Sequence, residues 1–322
     1  MKKLSVIAIL LISIFVFTAC GGSAAPDFAP FWGQTTDDID GILERSEYKV
    51  SVAPLIDDKG NAINKDEYKL DPSSSGTYKI EISKVKDKQY KVKTEFEFDG
   101  KYNKNGTLTD DFTDSYTGEC TFEIDAPDKL IMEKSSRVAE MTYCDENGKL
   151  SSVKYKVENN YADSKVVSNL TINDDEDNIL KDCKSSFESG FGDYFFDNEA
   201  MFLAIRALKP KDGFDRNFNV PENIAQKIVP MNAKFVEQKD SELNLTINGT
   251  VTKVNSNLIR VVITGTERIG APINLYYSKD DKVTFELETG TKVNTEYHKL
   301  LKIEHGDMIY TLTAYSNLAK MV

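Results

Sequence analysis

The run Tyr90-Lys-Val-Lys-Thr-Glu-Phe-Glu-Phe98 alternates along its length, with Tyr90, Val92, Phe96 and Phe98 on one face and Lys91, Lys93, Glu95 and Glu97 on the other. A period of two with one apolar and one charged face is the mark of a half-buried strand. The same period recurs at Tyr78-Ile80-Ile82, Val153-Tyr155-Val157, Leu243-Leu245-Ile247, Val283-Phe285-Leu287 and Met308-Tyr310-Leu312, while Ile259 to Ile263 is apolar on nearly both faces. Between these runs stand Asp99-Gly100, Asn105-Gly106, Asn147-Gly148 and Asn248-Gly249, pairs that tolerate the positive φ of two-residue hairpins. No repeat of fixed period suggests a propeller or solenoid. The expected topology is therefore mainly up-and-down antiparallel, with Lys and Glu on the wet faces guarding the edges.

One segment breaks the pattern. Phe195 to Leu208 reads as a helix, with Asp197 as N-cap, Glu199 in the first turn, and Phe196 and Met201 at the spacing of a hydrophobic staple. Phe202, Ile205 and Leu208, with Met201 and Ala204 beside them, form an apolar stripe that only a sheet is left to cover. Lys209-Pro210 stops the helix and Asp212-Gly213 turns the chain. The expected fold is mainly β: one large curved antiparallel sheet, a half-barrel, under a covering helix at 197–208. Phe202 and Ile205 should then meet residues from both halves of the chain, with Val283, Phe285 and Leu287 on the same covered face as Tyr90 to Phe98. Two separate sandwiches split near Lys184 are the alternative.

The first residues add a location. Met-Lys-Lys precedes an uncharged apolar run from Leu4 to Phe17 and then Thr18-Ala19-Cys20, the layout of a secretory signal too short to span a bilayer comfortably. Phe-Thr-Ala-Cys resembles the lipobox of bacterial lipoproteins, in which the cysteine takes a diacylglycerol and becomes residue one. The expected organisation is a signal peptide at 1–19, a lipidated N-terminus and tether at 20–45 beginning on Cys20, and one β-rich domain at 46–322. Anchored through lipid, the chain would lie on the extracytoplasmic face of a cell membrane with no spanning segment. Phe28, Phe31 and Trp32 in the tether read as a satellite cluster on the domain edge, and a short helix is expected over Asp37 to Arg45.

Loss of Lys2 and Lys3 with the signal would move the formal charge from −12 to −14. So acidic a chain, without a basic stripe, is not expected to bind nucleic acid. After lipidation three cysteines remain. Cys120 and Cys144 form the first candidate disulfide, against three unpaired buried thiols including Cys183. No Cys-x-x-Cys is present, so no structural zinc site is expected. Asn173-Asp-Asp-Glu-Asp-Asn178 offers oxygens for calcium but lacks the central Gly and closing Glu of a calcium loop, and reads better as a solvated turn. The only histidines, His298 and His305, and the absence of Gly-x-Ser-x-Gly, His-Glu-x-x-His and Gly-x-x-x-x-Gly-Lys remove the usual hydrolase, zinc and nucleotide signatures. No catalytic residue, metal or cofactor is expected, although carboxylate pairs for a hydrolase are abundant in a chain with 52 acids.

Asp197-Asn-Glu with the apolar run through Ile205-Arg206-Ala-Leu208, the Gly213-Phe214 turn and the strand ending in Leu275-Tyr-Tyr-Ser-Lys-Asp-Asp281 resemble the core of the domain-of-unknown-function 3108 family. Tyr276 and Tyr277 stand where that pattern carries a Trp. The resemblance implies an exported β-rich protein with a half-barrel of the LolA and LppX type, cupping an apolar ligand beneath a helical lid. Phe195, Phe196, Met201, Phe202 and Ile205 are then the candidate ligand contacts, with an apolar molecule or lipid as partner. The alternative is a structural or interaction protein of the envelope, in which sheet and helix close on each other.

Overall fold

The structure is a computed structural model, and it describes residues 41–54, 67–86, 88–125, 129–180, 183, 185–190, 195–207, 212–224, 226–263, 272–279, 282–286, 292–296 and 298–317. Cys20, the aromatic tether residues, Leu208 and Lys209-Pro210 lie outside them. In chain order the elements are β1 (Gly41–Val52), β2 (Lys69–Leu70), β3 (Ser75–Lys86), β4 (Gln89–Gly100), β5 (Tyr102–Lys104), β6 (Thr107–Leu108), β7 (Phe112–Asp125), β8 (Lys129–Cys144), β9 (Leu150–Ala162), β10 (Lys165–Asp175) and β11 (Ser186–Gly190). The helix α1 (Met201–Ala207) follows, then β12 (Asp215–Glu222), β13 (Lys227–Ile247), β14 (Thr250–Ile263), β15 (Ile273–Ser278), β16 (Lys282–Glu286), β17 (Lys292–Glu296), β18 (Leu300–His305) and β19 (Met308–Asn317).

Fourteen strands form one antiparallel sheet in the order β11-β10-β9-β8-β7-β4-β3-β1-β19-β18-β15-β14-β13-β12. Sequential neighbours pair on either side of a central seam where β1 meets β19, from Glu44 opposite Asn317 to Val52 opposite Met308. The sheet curls until β11 comes into contact with β13. Between the two edges the chain entering the helix adds a short parallel bridge, Phe195 to Asn219 of β12, and Phe196 N donates to Asn219 O at 2.9 Å. The result is a barrel-like shell on the expected single-sheet plan.

The alternation reads directly onto this shell. Tyr90, Val92, Phe96 and Phe98 on β4, Tyr78, Ile80 and Ile82 on β3, and Val153, Tyr155 and Val157 on β9 are all buried. The Asn105-Gly106 and Asn248-Gly249 turns have both central residues at positive φ, as hairpins twisted to match their strands require. The Asn248 tip does more than turn. Strand β18 pairs with β19 only along Met308 to Thr311, and beyond it Asn248 N donates to Thr313 O at 2.8 Å while Asn248 Nδ2 donates to Tyr315 O at 2.8 Å. The hairpin thus covers backbone that β18 is too short to reach.

Four expectations are corrected. Residues 41–52 form a strand, where a helix was expected to run on to Arg45, because Glu44, Ser46, Tyr48 and Val50 fit the inward period of the sheet. Asp99-Gly100 ends β4 in register with Thr113 and Phe112, with no turn at this point; a Cβ on Gly100 would lie 2.5 Å from Phe112 Cζ, so the glycine serves ring packing. The run at Val283 pairs with Lys292–Glu296 in a separate two-stranded sheet and does not join the large one. Cys120 and Cys144 are free thiols. Cys120 lies opposite Ser135, which leaves Cys144 about 30 Å further along β8 at about 3.3 Å per residue, far outside disulfide reach.

Candidate functional site

The helix is shorter than expected, beginning at Met201 after a turn at 198–200. Asp197, expected as the helix N-cap, instead closes the turn before it: Asp197 Oδ1 accepts from Glu199 N at 2.9 Å and Asp197 O from Ala200 N at 3.1 Å. The helix does not lie over the shell with one face wet. Phe195, Phe196, Met201, Leu203, Ala204, Ile205 and Arg206 are all buried, and Phe202 is half-buried against the same core. Segment 195–207 is a plug inside the barrel. The apolar stripe predicted only part of this, since Leu203 and Arg206 lie off it.

Three charged side chains of the plug reach inward-facing groups on the wall. Asp197 Oδ2 accepts from Ser135 Oγ at 2.5 Å and from the Tyr161 hydroxyl. Glu199 Oε1 accepts from Arg137 Nε at 2.7 Å and Nη2 at 2.6 Å, and Glu199 Oε2 accepts from Thr94 Oγ1 at 2.5 Å. The Arg137 guanidinium also lies 4.5 Å from the centroid of the Tyr116 ring. Further along, Arg206 Nη1 donates to Glu44 Oε1 at 2.8 Å, both residues being buried. Space for the Glu199 carboxylate exists because position 118 is glycine: a Cβ there would stand 2.3 Å from Glu199 Oε2.

The last third of the chain meets the plug differently. Phe218 of β12 packs tilted against Phe196 at 5.2 Å between centroids, and Tyr277 of β15 donates its hydroxyl to Phe202 O at 2.7 Å. The plug therefore touches β4 and β8 through Glu199 and Asp197 and β12 and β15 through Phe196 and Phe202, an arrangement that two separate sandwiches would not give.

No protein-family model and no curated protein matches the sequence. Among solved structures the chain is similar to the crystal structure of a beta-barrel-like protein of domain of unknown function DUF1849 from Brucella abortus, at 11% identity, covering 87% of this chain and 99% of that one with a TM-score of 0.45.

The candidate ligand residues Phe195, Phe196, Met201, Phe202 and Ile205 are thus brought together, but as parts of the protein's own core. Thr94, Ser135, Arg137, Tyr161 and Glu44 were missed. Each occupies an inward position where the alternation calls for an apolar side chain, and Thr94 is the polar break in the Tyr90 to Phe98 run. Burial and the neighbouring Glu199 charge raise the Asp197 pKa. Asp114, inward on β7, is pushed up to about 7 by burial, opposed by its bond from Thr142 N at 2.6 Å. In the acidic 173–178 turn Asp175 accepts from Ile179 N and Leu180 N at 2.6 and 2.8 Å, and Asp177 pairs with Lys149 at 2.6 Å. Those oxygens serve the turn.

Proposed function

We propose that the chain is an extracytoplasmic lipoprotein, anchored through Cys20, whose barrel-like domain is a structural or interaction module of the cell envelope closed on its own plug. The observation that carries this reading is the burial of segment 195–206, with Asp197, Glu199 and Arg206 bonded to the wall. An apolar cargo seated beneath the helix would have to compete with Phe196, Met201 and Ile205 for the same wall and break the buried Arg206–Glu44 pair and the Arg137 grip on buried Glu199. Leaving either partner of such a pair unmatched costs about 3–5 kcal/mol. The enclosed carboxylates also support a non-enzymatic reading, because Asp197 and Glu199 are 1% and 7% exposed and offer no surface to a substrate. The resemblance to the domain-of-unknown-function 3108 family supports export and a barrel-like shell.

The second reading, a carrier of an apolar ligand or lipid, draws on the curvature of the sheet. Native mass spectrometry of the protein released gently from membranes separates the two. The structural reading expects a mass with only the covalent acyl groups, and a stoichiometric non-covalent lipid would replace it with the carrier. Cys20→Ser should abolish membrane retention or leave an uncleaved precursor on fractionation; a variant processed and retained like wild type would sink the anchor.

A further inference from the structure

Behind the first turn of the plug lies a polar patch that the packing of the helix does not use. Asn159 and Gln226 are 2% and 1% exposed. Asn159 Nδ2 donates to Ser135 Oγ at 3.0 Å and to Asn223 Oδ1 at 3.3 Å, while Gln226 Nε2 donates to Ser168 Oγ at 3.1 Å and to Asn223 O at 2.5 Å. The carbonyl oxygens of both amides, Asn159 Oδ1 and Gln226 Oε1, are buried without a hydrogen-bond partner. Ser168 faces Asn159 across the β9–β10 ladder and Asn223 touches both amides, so the two side chains are neighbours in one buried polar patch.

Neither amide can be turned to remove the deficit. Gln226 Nε2 faces a backbone carbonyl, which only accepts, so the donor end must point there. At a pH where Asp197 is ionised, Ser135 donates to its carboxylate and accepts from Asn159, which fixes that amide as well. What is missing is a donor or a cation.

Charge decides between them. Among the described residues Glu199 is matched by Arg137 and Glu44 by Arg206, whereas Asp197 is held by two hydroxyls and an amide with no lysine or arginine. We propose that this patch binds a monovalent cation of the alkali or ammonium class, with Asn159 Oδ1 and Gln226 Oε1 among its oxygen ligands and the Asp197 carboxylate, one hydroxyl away through Ser135, as its counter-charge. Neutral amide oxygens suit a hard cation, and one unmatched carboxylate suits a single positive charge better than a divalent ion.

A proton on Asp197 neutralises the same charge, so proton and cation compete, and the cation gains on the proton as pH rises. Cys120 from β7 and Tyr161 from β9 also face Asp197, and burial lifts both pKa values well above their ordinary range, leaving them neutral. Glu199 is ion-paired with Arg137 at 2.6 Å.

The test is thermal unfolding of the full-length protein in potassium, sodium, rubidium or ammonium chloride against tetramethylammonium chloride at equal ionic strength. At alkaline pH a small cation should raise Tm by about 3–5 °C, and the advantage should shrink on acidification. Gln226→Met and Asp197→Asn should each erase the difference between salts. A crystal grown with rubidium should show anomalous density beside Asn159 and Gln226. Equal Tm in all salts for the wild-type protein, or an ordered water alone at that position, would overturn the site.

Discussion

The wall built from β4, β7, β8 and β9 offers the plug hydroxyls and a guanidinium, whereas the wall built from β12 and β15 offers rings, a backbone bridge and one tyrosine hydroxyl. Apolar contact is tolerant of small shifts; a two-nitrogen grip on Glu199 together with a hydroxyl on its second oxygen is not. The polar wall therefore sets where the plug sits, and the apolar wall adds burial that keeps it there. Such a division predicts different failures on the two sides.

The largest effect is expected from Arg137→Met, which leaves the Glu199 carboxylate buried without its cation. A loss of about 3–5 kcal/mol should appear in chemical denaturation, and the double variant with Glu199→Gln should recover much of it. If the double variant is no better than the single, Glu199 is not the partner that matters. Phe218→Ala on the other wall should cost about 3 kcal/mol by opening a cavity against Phe196, with no recovery from any charge change. Gly118→Ala should cost about 1–3 kcal/mol, since its Cβ displaces Glu199, and the loss should shrink when Glu199→Ala is made as well.

Asp114 gives a smaller, pH-dependent effect. Its folded pKa of about 7 exceeds the ordinary 3.8, so the native state holds the proton more tightly than the unfolded chain. Stability must then fall as pH rises between about 4 and 7 and level off above. Asp114→Asn should flatten that part of the Tm profile, and an unchanged slope would show the carboxyl to be solvated. Asp177→Asn, breaking the exposed pair with Lys149, should change stability by about 1 kcal/mol or less.

The shell was legible because β4, β3 and β9 bury every second residue, so periodicity alone sets their faces. The site was not, and for a physical cause. Pattern reading treats polar residues at inward positions as noise, yet Thr94, Ser135 and Arg137 hold the plug through partners more than sixty positions away in sequence. Glu199 shows the same limit: a carboxylate in a first helical turn is ordinarily explained by the helix dipole, and only the fold brings Arg137 and Gly118 against it. Strand runs such as 282–286 keep the right period and still pair elsewhere, because alternation fixes a face but names no neighbour.

The seam between β1 and β19 bears on how the protein comes into being. Ser51 and Ile309, 258 residues apart, share a hydrogen bond in the middle of the sheet. A ribosome delivers one of these strands long before the other, so β1 must wait with an open edge while the intervening wall is made. Pairings this distant in sequence are slow to find. A chaperone that shields an exposed strand during that interval would act on β1 and β3, and pulse-labelled hydrogen exchange should find the β1–β19 ladder among the last protected.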